Sequence, residues 1–434
     1  MNVNMISLGC SKNLVDAEIM TGTLLKEGFQ IVGEKEDADV IIVNTCAFIA
    51  DAQSEAIEAI FDAAQYKKGK LKKLIVTGCL SQRYKEEVLT LMPEVDAICG
   101  IDEIDKIAQI IKSDNKNFVG EGCGLYPEEA ERVISTPPYM AYIKIAEGCD
   151  NHCTYCIIPK IRGKFRSRKI ENILYEAKSL VSKGVREIII VAQDTTMYGE
   201  DIYGERKLCW LLEEMEKIED LKWIRVLYTY PERISDELLD IYAKSKKIAP
   251  YFDIPIQHIS DSVLKRMGRK TNEKEIRALI EKIKSKIPNA IIRTTLICGF
   301  PGESEEDFEK LYSFVKETKF DRLGVFPYSR EEGTAADELS GHIDDEIKKE
   351  RADAIMKLQM EISQDNLKKY VGKEIEVIAE QIYDGTVIGR SIYDAPDIDG
   401  NVFFTGGGEE ILGEFVSVKI TESKEYDLLG VLAE

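Results

Sequence analysis

The chain has 434 residues, 44% of them hydrophobic and 31% charged, with a formal net charge of −20. That length holds two or three domains with cores of their own, and the balance belongs to a folded protein rather than a disordered one. So acidic a chain disfavours binding to bare nucleic acid and favours a basic partner.

No apolar run approaches the roughly 20 residues of a membrane span, and the best candidate, around residues 40–43, is broken by Asn44. The opening Met-Asn-Val-Asn-Met-Ile-Ser-Leu-Gly-Cys10 has no basic segment before it, which argues against a secretory signal and leaves its Leu-Gly-Cys without weight as a lipoprotein site. A cytoplasmic protein with no membrane partner is expected. In that reducing setting the ten cysteines serve packing, catalysis or metal. The three histidines, His152, His258 and His342, argue against a histidine-rich zinc or non-haem iron site.

Along the chain, residues 2–8, 39–45 and 73–78 are short β-branched runs, with helical patterns such as 54–65 between them. The alternation predicts an N-terminal parallel-sheet α/β domain over 1–119. Residues 120–138, with glycines and Pro137-Pro138, read as a linker. Strand patterns at 139–145, 187–191, 223–228, 251–255, 290–297 and 323–326 follow, separated by helical patterns including 173–183, 208–218, 274–286 and 305–316. Ser304 and Asp307 have the spacing of a capping box for the last helix. About six βα units predict an open, partial (βα)6 barrel over 135–365, with its chemistry at the strands' carboxyl ends. A long polar helix at 344–370 leads to short strands at 374–379, 385–389, 401–405 and 415–421, which predict a small all-β barrel over 368–434.

The chemistry lies in the cysteines. Cys149-Asp-Asn-His-Cys153-Thr-Tyr-Cys156 follows directly on the first barrel strand. Thiolates are natural ligands of iron–sulfur clusters, and three on one loop hold three irons of a [4Fe–4S] cube while leaving the fourth open to a substrate group. A zinc loop is the competing assignment, but structural zinc takes four closed ligands, and His152 is placed too tightly to serve beside its neighbours. Cys10, Cys46 and Cys79 each follow one of the first strand patterns, at intervals of 36 and 33 residues, close to the ~30-residue βαβ unit. In a parallel sheet the carboxyl ends of successive strands lie side by side, so these three converge on a second cluster site; three buried structural thiols are the alternative. Gly9 and Gly78 would let the backbone approach it closely. Cys99 ends an apparent strand at 94–98 and is a candidate fourth ligand, set aside because the chemistry below needs an open iron. Cys123, Cys209 and Cys298 are read as structural. Gln193 to Thr196 and the 297–303 segment put polar groups and glycines at strand ends, where cofactor contacts would fall. The basic run Arg162-Gly-Lys-Phe-Arg-Ser-Arg-Lys169 is either a solvated loop or a site for an anionic group, such as a substrate or a carboxylate.

The CxxxCxxC spacing resembles that of the radical S-adenosylmethionine (SAM) enzymes, whose open iron binds SAM and whose reductive cleavage of it yields a 5′-deoxyadenosyl radical. Tyr155, before the last cysteine, matches that pattern and would cover the cofactor, with Gln193 as a further contact; packing is the other role open to Tyr155. Over its whole length the chain resembles the methylthiotransferases, and within them the RimO-type branch. The residues carrying this are Leu8-Gly-Cys-Ser-Lys-Asn13, Asn44-Thr-Cys-Ala-Phe-Ile49, Gly78-Cys-Leu-Ser-Gln-Arg83, Asp194-Thr-Thr-Met-Tyr-Gly199 and the 389–400 segment. The resemblance implies a TRAM-type terminal barrel and two [4Fe–4S] clusters, one on Cys10, Cys46 and Cys79 and one on Cys149, Cys153 and Cys156. It also implies SAM as both methyl donor and radical source, with no catalytic residue beyond the cluster ligands. The implied substrate is the β-carbon of an aspartate in small-subunit ribosomal protein S twelve. The implied partners are that protein, an electron donor of flavodoxin or ferredoxin type, and a sulfur donor. Methylthiolation of a tRNA adenosine, as in the MiaB group, is the alternative within enzymes; a metal-stabilised nucleic-acid-binding protein using its terminal barrel is the alternative outside them. From Tyr370 onward fourteen acidic residues face four basic ones, so that barrel is expected to dock a basic protein and present its aspartate to both clusters.

Overall fold

The computed structural model describes residues 1–433 except 123, 125, 129 and 130; Cys123 therefore lies outside the described residues. The chain is an α/β protein with a parallel N-terminal sheet, a half-barrel of two parallel strand triples and a closed β-barrel at its end. The first sheet holds β1 (Asn2–Ser7), β2 (Gln30–Ile31), β3 (Val40–Thr45), β4 (Lys73–Gly78), β5 (Ala97–Cys99) and β6 (Asn117–Phe118), all parallel, in the order β2-β1-β3-β4-β5-β6. Its central strand β3 is buried at every position, which is why the Val-Ile-Ile-Val run does not alternate: helices cover both faces of a parallel sheet. The strand expected at 94–98 is shorter and later, so Cys99 lies in β5 rather than after it. β2 and β6, of two residues each, are too short to leave a pattern.

The barrel begins with β7 (Met140–Lys144), followed by the small antiparallel pair β8 (Ala146–Glu147) and β9 (Arg166–Ser167) that brackets the second cysteine loop. Then come β10 (Glu187–Val191), β11 (Trp223–Val226), β12 (Tyr251–Asp253), β13 (Ile291–Cys298) and β14 (Arg322–Pro327). Strands β7, β10 and β11 form one parallel triple and β12, β13 and β14 another. The seam between them is closed by the Thr229 amide donating to the Asp253 carbonyl at 2.9 Å. β11 stops short of its expected end because Tyr228 turns into the left-handed region at φ 61°, where a ladder cannot continue. The capping box at Ser304 and Asp307 forms, and Asn272 with Glu275 makes another before Glu273–Lys286.

Helix Asp345–Leu367 leads to β15 (Glu374–Tyr383), β16 (Thr386–Ser391), β17 (Val402–Thr405), β18 (Phe415–Ser423) and β19 (Leu428–Leu432). They close in the order β15-β16-β17-β19-β18, with β19, which the sequence pattern did not separate from its turn, parallel to β17. This barrel docks at the amino ends of the half-barrel strands. Arg390 pairs with Glu187, the first residue of β10, which also takes Arg225 Nε at 3.0 Å. Asp394 pairs with Arg322 at the start of β14, and the Tyr251 hydroxyl at the start of β12 donates to Asp399 at 2.6 Å. Trp223, which opens β11, meets Phe415 edge-on at 4.7 Å. The terminal barrel thus plugs the foot of the half-barrel, and the expectation that it would present a substrate to the cysteine sites is corrected: those sites lie at the opposite, carboxyl ends. Among the described residues no helix is long and apolar enough to cross a membrane.

Glu187 is fully buried between two arginines, so removing it strands buried positive charge. Glu187→Ala should lower stability by about 3–5 kcal/mol in denaturant titration while leaving the iron content unchanged, because the cysteines lie at the other end of the strands.

Candidate functional site

β1, β3 and β4 are neighbours in the sheet. Cys10 caps the helix Ser11–Lys26 after β1, Cys46 follows β3, and Cys79 opens the helix Cys79–Tyr84 after β4. Their thiols therefore share one edge. Gly9 (φ +86°) and Gly78 (φ +91°) are needed for close approach between these loops. A Cβ on Gly9 would sit 2.7 Å from the Cβ of Cys46, and one on Gly78 would sit 2.5 Å from the Thr45 carbonyl. Asn13 donates to the Thr45 carbonyl at 2.9 Å and Asn44 donates back to the Asn13 carbonyl at 2.7 Å, locking the two loops together. Burial pushes the Cys79 thiol up to about 11 against the pull of Arg162, and burial likewise raises Cys46. At Cys10 burial is outweighed by Lys12, Arg162 and two backbone amides, and its pKa falls below the ordinary thiol value.

The second triplet occupies the loop between β8 and β9. The Cys149 amide donates to the Gly163 carbonyl at 3.1 Å, and Thr154 is held by the Met267 and Arg266 carbonyls from the far side of the barrel mouth. Asn151 donates to the Cys149 sulfur at 3.4 Å and to Asp194 at 2.8 Å, while Arg233 grips both Asn151 and Asp194. Arg269 reaches the Cys153 sulfur at 3.7 Å and the Tyr230 hydroxyl lies 3.8 Å from it. Burial raises Cys149 to about 11 and Cys156 to about 12. His152 is exposed, and its φ of 52° joins those of Tyr228 (61°) and Gln257 (72°) at this end of the barrel. Non-glycine residues in that region store strain and cluster at working sites.

Arg162 joins the two triplets. It ends the short helix Ile158–Arg162 just after Cys156, and its guanidinium bonds Glu147 at 2.8 Å, Asp16 at 3.2 Å and Asn13, and lies 3.6 Å from the Cys79 sulfur. Lys144 completes the set with Asp16 and Glu147. The basic run 162–169 is thus not a solvated loop: Arg162 and Arg168 are buried, and Arg168 pairs with Glu128 and Glu176.

A cavity of about 500 Å³ opens at the mouth. Phe48 and Asp51, just past Cys46, form one wall; Tyr155, Gln257, Thr295, Ile297 and Tyr328 form the other. Tyr155 lies there edge-on to Phe300 at 6.4 Å. Gln193 does not line it; its amide donates to Glu147 at 2.6 Å and its oxygen has no partner among the described residues. All six cysteines are free thiols. Among the described residues no group of three or more His, Cys, Asp or Glu side chains is placed to hold a single metal ion. Two sets of three soft donors, two of each set buried and one half-buried, each set with a cation at one sulfur, fit iron–sulfur clusters. Cys99 stands apart, fully buried in the core, its thiol 3.3 Å from the Gly100 carbonyl and pushed up to about 12 by burial. Cys298 is buried at the end of β13 and Cys209 is half-buried on the helix Leu208–Glu216. Arg269 and Tyr230, which sequence reasoning passed over, carry no local signal, since their sulfur contacts come from distant segments.

A model of the radical SAM superfamily matches residues 143–315, one of the uncharacterized protein family UPF0004 matches 2–100, and one of the TRAM domain matches 371–432. The fold is similar to that of the radical SAM methyltransferase TsrM from Kitasatospora setae, solved with cobalamin and a [4Fe-4S] cluster (TM-score 0.57, 13% identity, 77% of this chain and 76% of that one). It is also similar to the cobalamin-dependent SAM radical enzyme OxsB (TM-score 0.51, 14% identity, 82% and 56% covered). Fold and matches together define a radical SAM enzyme with a TRAM barrel. The ribosomal protein uS12 methylthiotransferase RimO of Clostridioides difficile is 53% identical over 436 residues, spanning 98% of this chain and 97% of its own, and that of Desulforamulus reducens is 50% identical over the full length of both. The chain belongs to this RimO family of methylthiotransferases.

Cys99→Ala should leave the iron content of the purified protein unchanged and cost about 1–3 kcal/mol of stability as a packing defect; a halved iron content would make Cys99 a cluster ligand.

Proposed function

We propose that the chain adds a methylthio group to the β-carbon of an aspartate in small-subunit ribosomal protein uS12. The observation that carries this is one cavity walled by neighbours of both cysteine sets: Phe48–Asp51, just past Cys46, on one side, and Tyr155, between Cys153 and Cys156, on the other. The full-length identity to enzymes named for that activity supports it. Cys10, Cys46 and Cys79 would hold one [4Fe–4S] cluster and Cys149, Cys153 and Cys156 another. When bound, these clusters and SAM supply the sulfur transfer and the radical hydrogen abstraction that an unactivated carbon demands.

The chain's own residues supply geometry. Tyr155, Gln257 and Thr295 shape the pocket for SAM and the substrate side chain, and the buried Gln193 oxygen is left without a protein partner among the described residues. Asn151 and Arg269 donate toward Cys149 and Cys153, stabilising negative charge on those sulfurs. The Glu187–Arg225–Arg390 plug keeps water from entering at the foot. The cytoplasm, a flavodoxin- or ferredoxin-type reductant and a sulfur donor complete the setting. The net charge of −20 repels phosphate backbones and attracts a basic ribosomal protein from a distance.

Cys149→Ala and Cys46→Ala should each lose half of about eight irons, with different consequences. The first should abolish 5′-deoxyadenosine formation; the second should retain it and stop methylthiolation. Equal loss of both activities in both variants would contradict two separate sites. Mass spectrometry of uS12 and tRNA from a deletion strain should show the modification missing from uS12 alone. Binding to isolated uS12 should weaken steeply with salt, and tight binding to tRNA with none to uS12 would overturn the assignment.

A further inference from the structure

Among the described residues, the buried basic side chains are ion-paired to carboxylates with two exceptions, Lys12 and Arg269. Arg269 donates to the Pro255 carbonyl at 2.9 Å and reaches the Cys153 sulfur at 3.7 Å, while its Nε has no partner among the described residues. Lys12 is 7% exposed; its ammonium lies over the face of Tyr228, 3.5 Å from the ring centroid, and near the Cys10 thiol, and has no carboxylate partner among the described residues. An ammonium taken from water without an anion is costly, and a ring face returns only part of that cost. The strained Tyr228 backbone is pinned, its amide donating to Asp253 at 2.9 Å, so the ring is a fixed platform.

The position of this cation is informative. Its backbone lies two residues past Cys10, on the first turn of Ser11–Lys26, yet its charge rests on a ring just beyond the carboxyl end of β11. It bridges from the first cysteine set to the end of β11 at the barrel mouth, between the two sets, although neither Lys12 nor Tyr228 lines the cavity of about 500 Å³. The first set has a further cation in Arg162, 3.6 Å from the Cys79 sulfur.

We propose that Lys12 binds the carboxylate of the target aspartate. This rests on the reading of the substrate given above and deepens it. The carboxylate carbon is bonded directly to the β-carbon, so holding the one places the other. Charge-assisted hydrogen bonds from the ammonium replace the water it gave up on folding, while Tyr228 keeps the amine aimed. A buried charge built to be paired rejects a neutral isostere, so asparagine at the target position is excluded by the same residue.

The test uses reconstituted holoenzyme and two peptides spanning the uS12 target, one with the native aspartate and one with asparagine there. Wild type should bind the aspartate peptide roughly tenfold to a hundredfold tighter and modify it alone. Lys12→Met should bind both peptides equally, at the weaker level, with KM raised more than kcat is lowered; Lys12→Arg should restore part of the preference. Iron content and thermal unfolding of each variant report on folding. If Lys12→Met keeps the wild-type preference, or shifts the midpoint potential of the first cluster with the preference intact, Lys12 serves the cluster and the proposal falls. If Lys12→Met loses its iron, Lys12→Arg and the wild-type preference decide, and no preference in wild type overturns the proposal. Wild type that modifies uS12 but fails to discriminate sinks Lys12 alone; wild type that neither binds nor modifies uS12 sinks the functional reading with it.

Discussion

The arrangement of this molecule turns on one buried guanidinium. Arg162 sits 2% exposed at the junction of the first domain and the half-barrel, with Asp16 and Glu147 as counter-charges and Lys144 completing a balanced set of two cations and two anions. Replacing such a set by apolar side chains can be neutral or even stabilising, whereas removing a single partner leaves an uncompensated buried charge. Its contribution is therefore better seen as registration than as strength. Asp16 and Asn13 belong to the helix that starts at Cys10, Glu147 precedes Cys149, and Arg162 itself follows Cys156. The network holds each cysteine set through a residue a few positions away in sequence, so the two sets share one register.

A second grip closes the open side of the half-barrel. Its edge strands are β7 and β14, and a partial barrel leaves both exposed at the mouth. The first domain reaches each of them: Asp16 pairs with Lys144 at the end of β7, while Arg83 pairs with Glu331 at 2.8 Å and Gln53 donates to it at 3.0 Å just past β14. The first domain acts as the missing staves. With the terminal barrel sealing the foot through Glu187, Arg322 and Tyr251, the half-barrel is closed below and roofed above, and the strained residues Tyr228 and Gln257 mark the remaining entrance.

What the sequence made legible was local. Strand-ending cysteines at βαβ spacing located the first set, because parallel topology alone brings the ends of β1, β3 and β4 together. The CxxxCxxC loop needed no folding argument. The capping box at Ser304, the half-barrel strands and most of the terminal barrel were visible as pattern. What stayed hidden depends on partners far away in the chain: Arg162 and Asp16 are separated by 146 residues, and Arg390 and Glu187 by 203. A run of arginines looks the same in sequence whether it faces solvent or a buried carboxylate. The location of the terminal barrel was hidden for the same reason, since the 389–400 segment shows its composition but not the strand ends it meets.

The charges outside and inside the molecule work in opposite directions, and the difference bears on selectivity. The exterior is acidic, with Glu374, Glu376, Glu409 and Glu414 exposed on the terminal barrel, and it would repel a free carboxylate. At the mouth, however, the buried cations Lys12, Arg162 and Arg269 gather around the two cysteine sets. An aspartate carried on a basic protein experiences both: the carrier is drawn in by the long-range field, and the acid side chain meets a local positive site only after it is desolvated. A nucleic acid is repelled at the first stage and a neutral side chain finds no counter-charge at the second. Two rejections of different range are more selective than either alone, and neither requires an extended peptide-binding groove, which fits a cavity of about 500 Å³ sized for a side chain and cofactor.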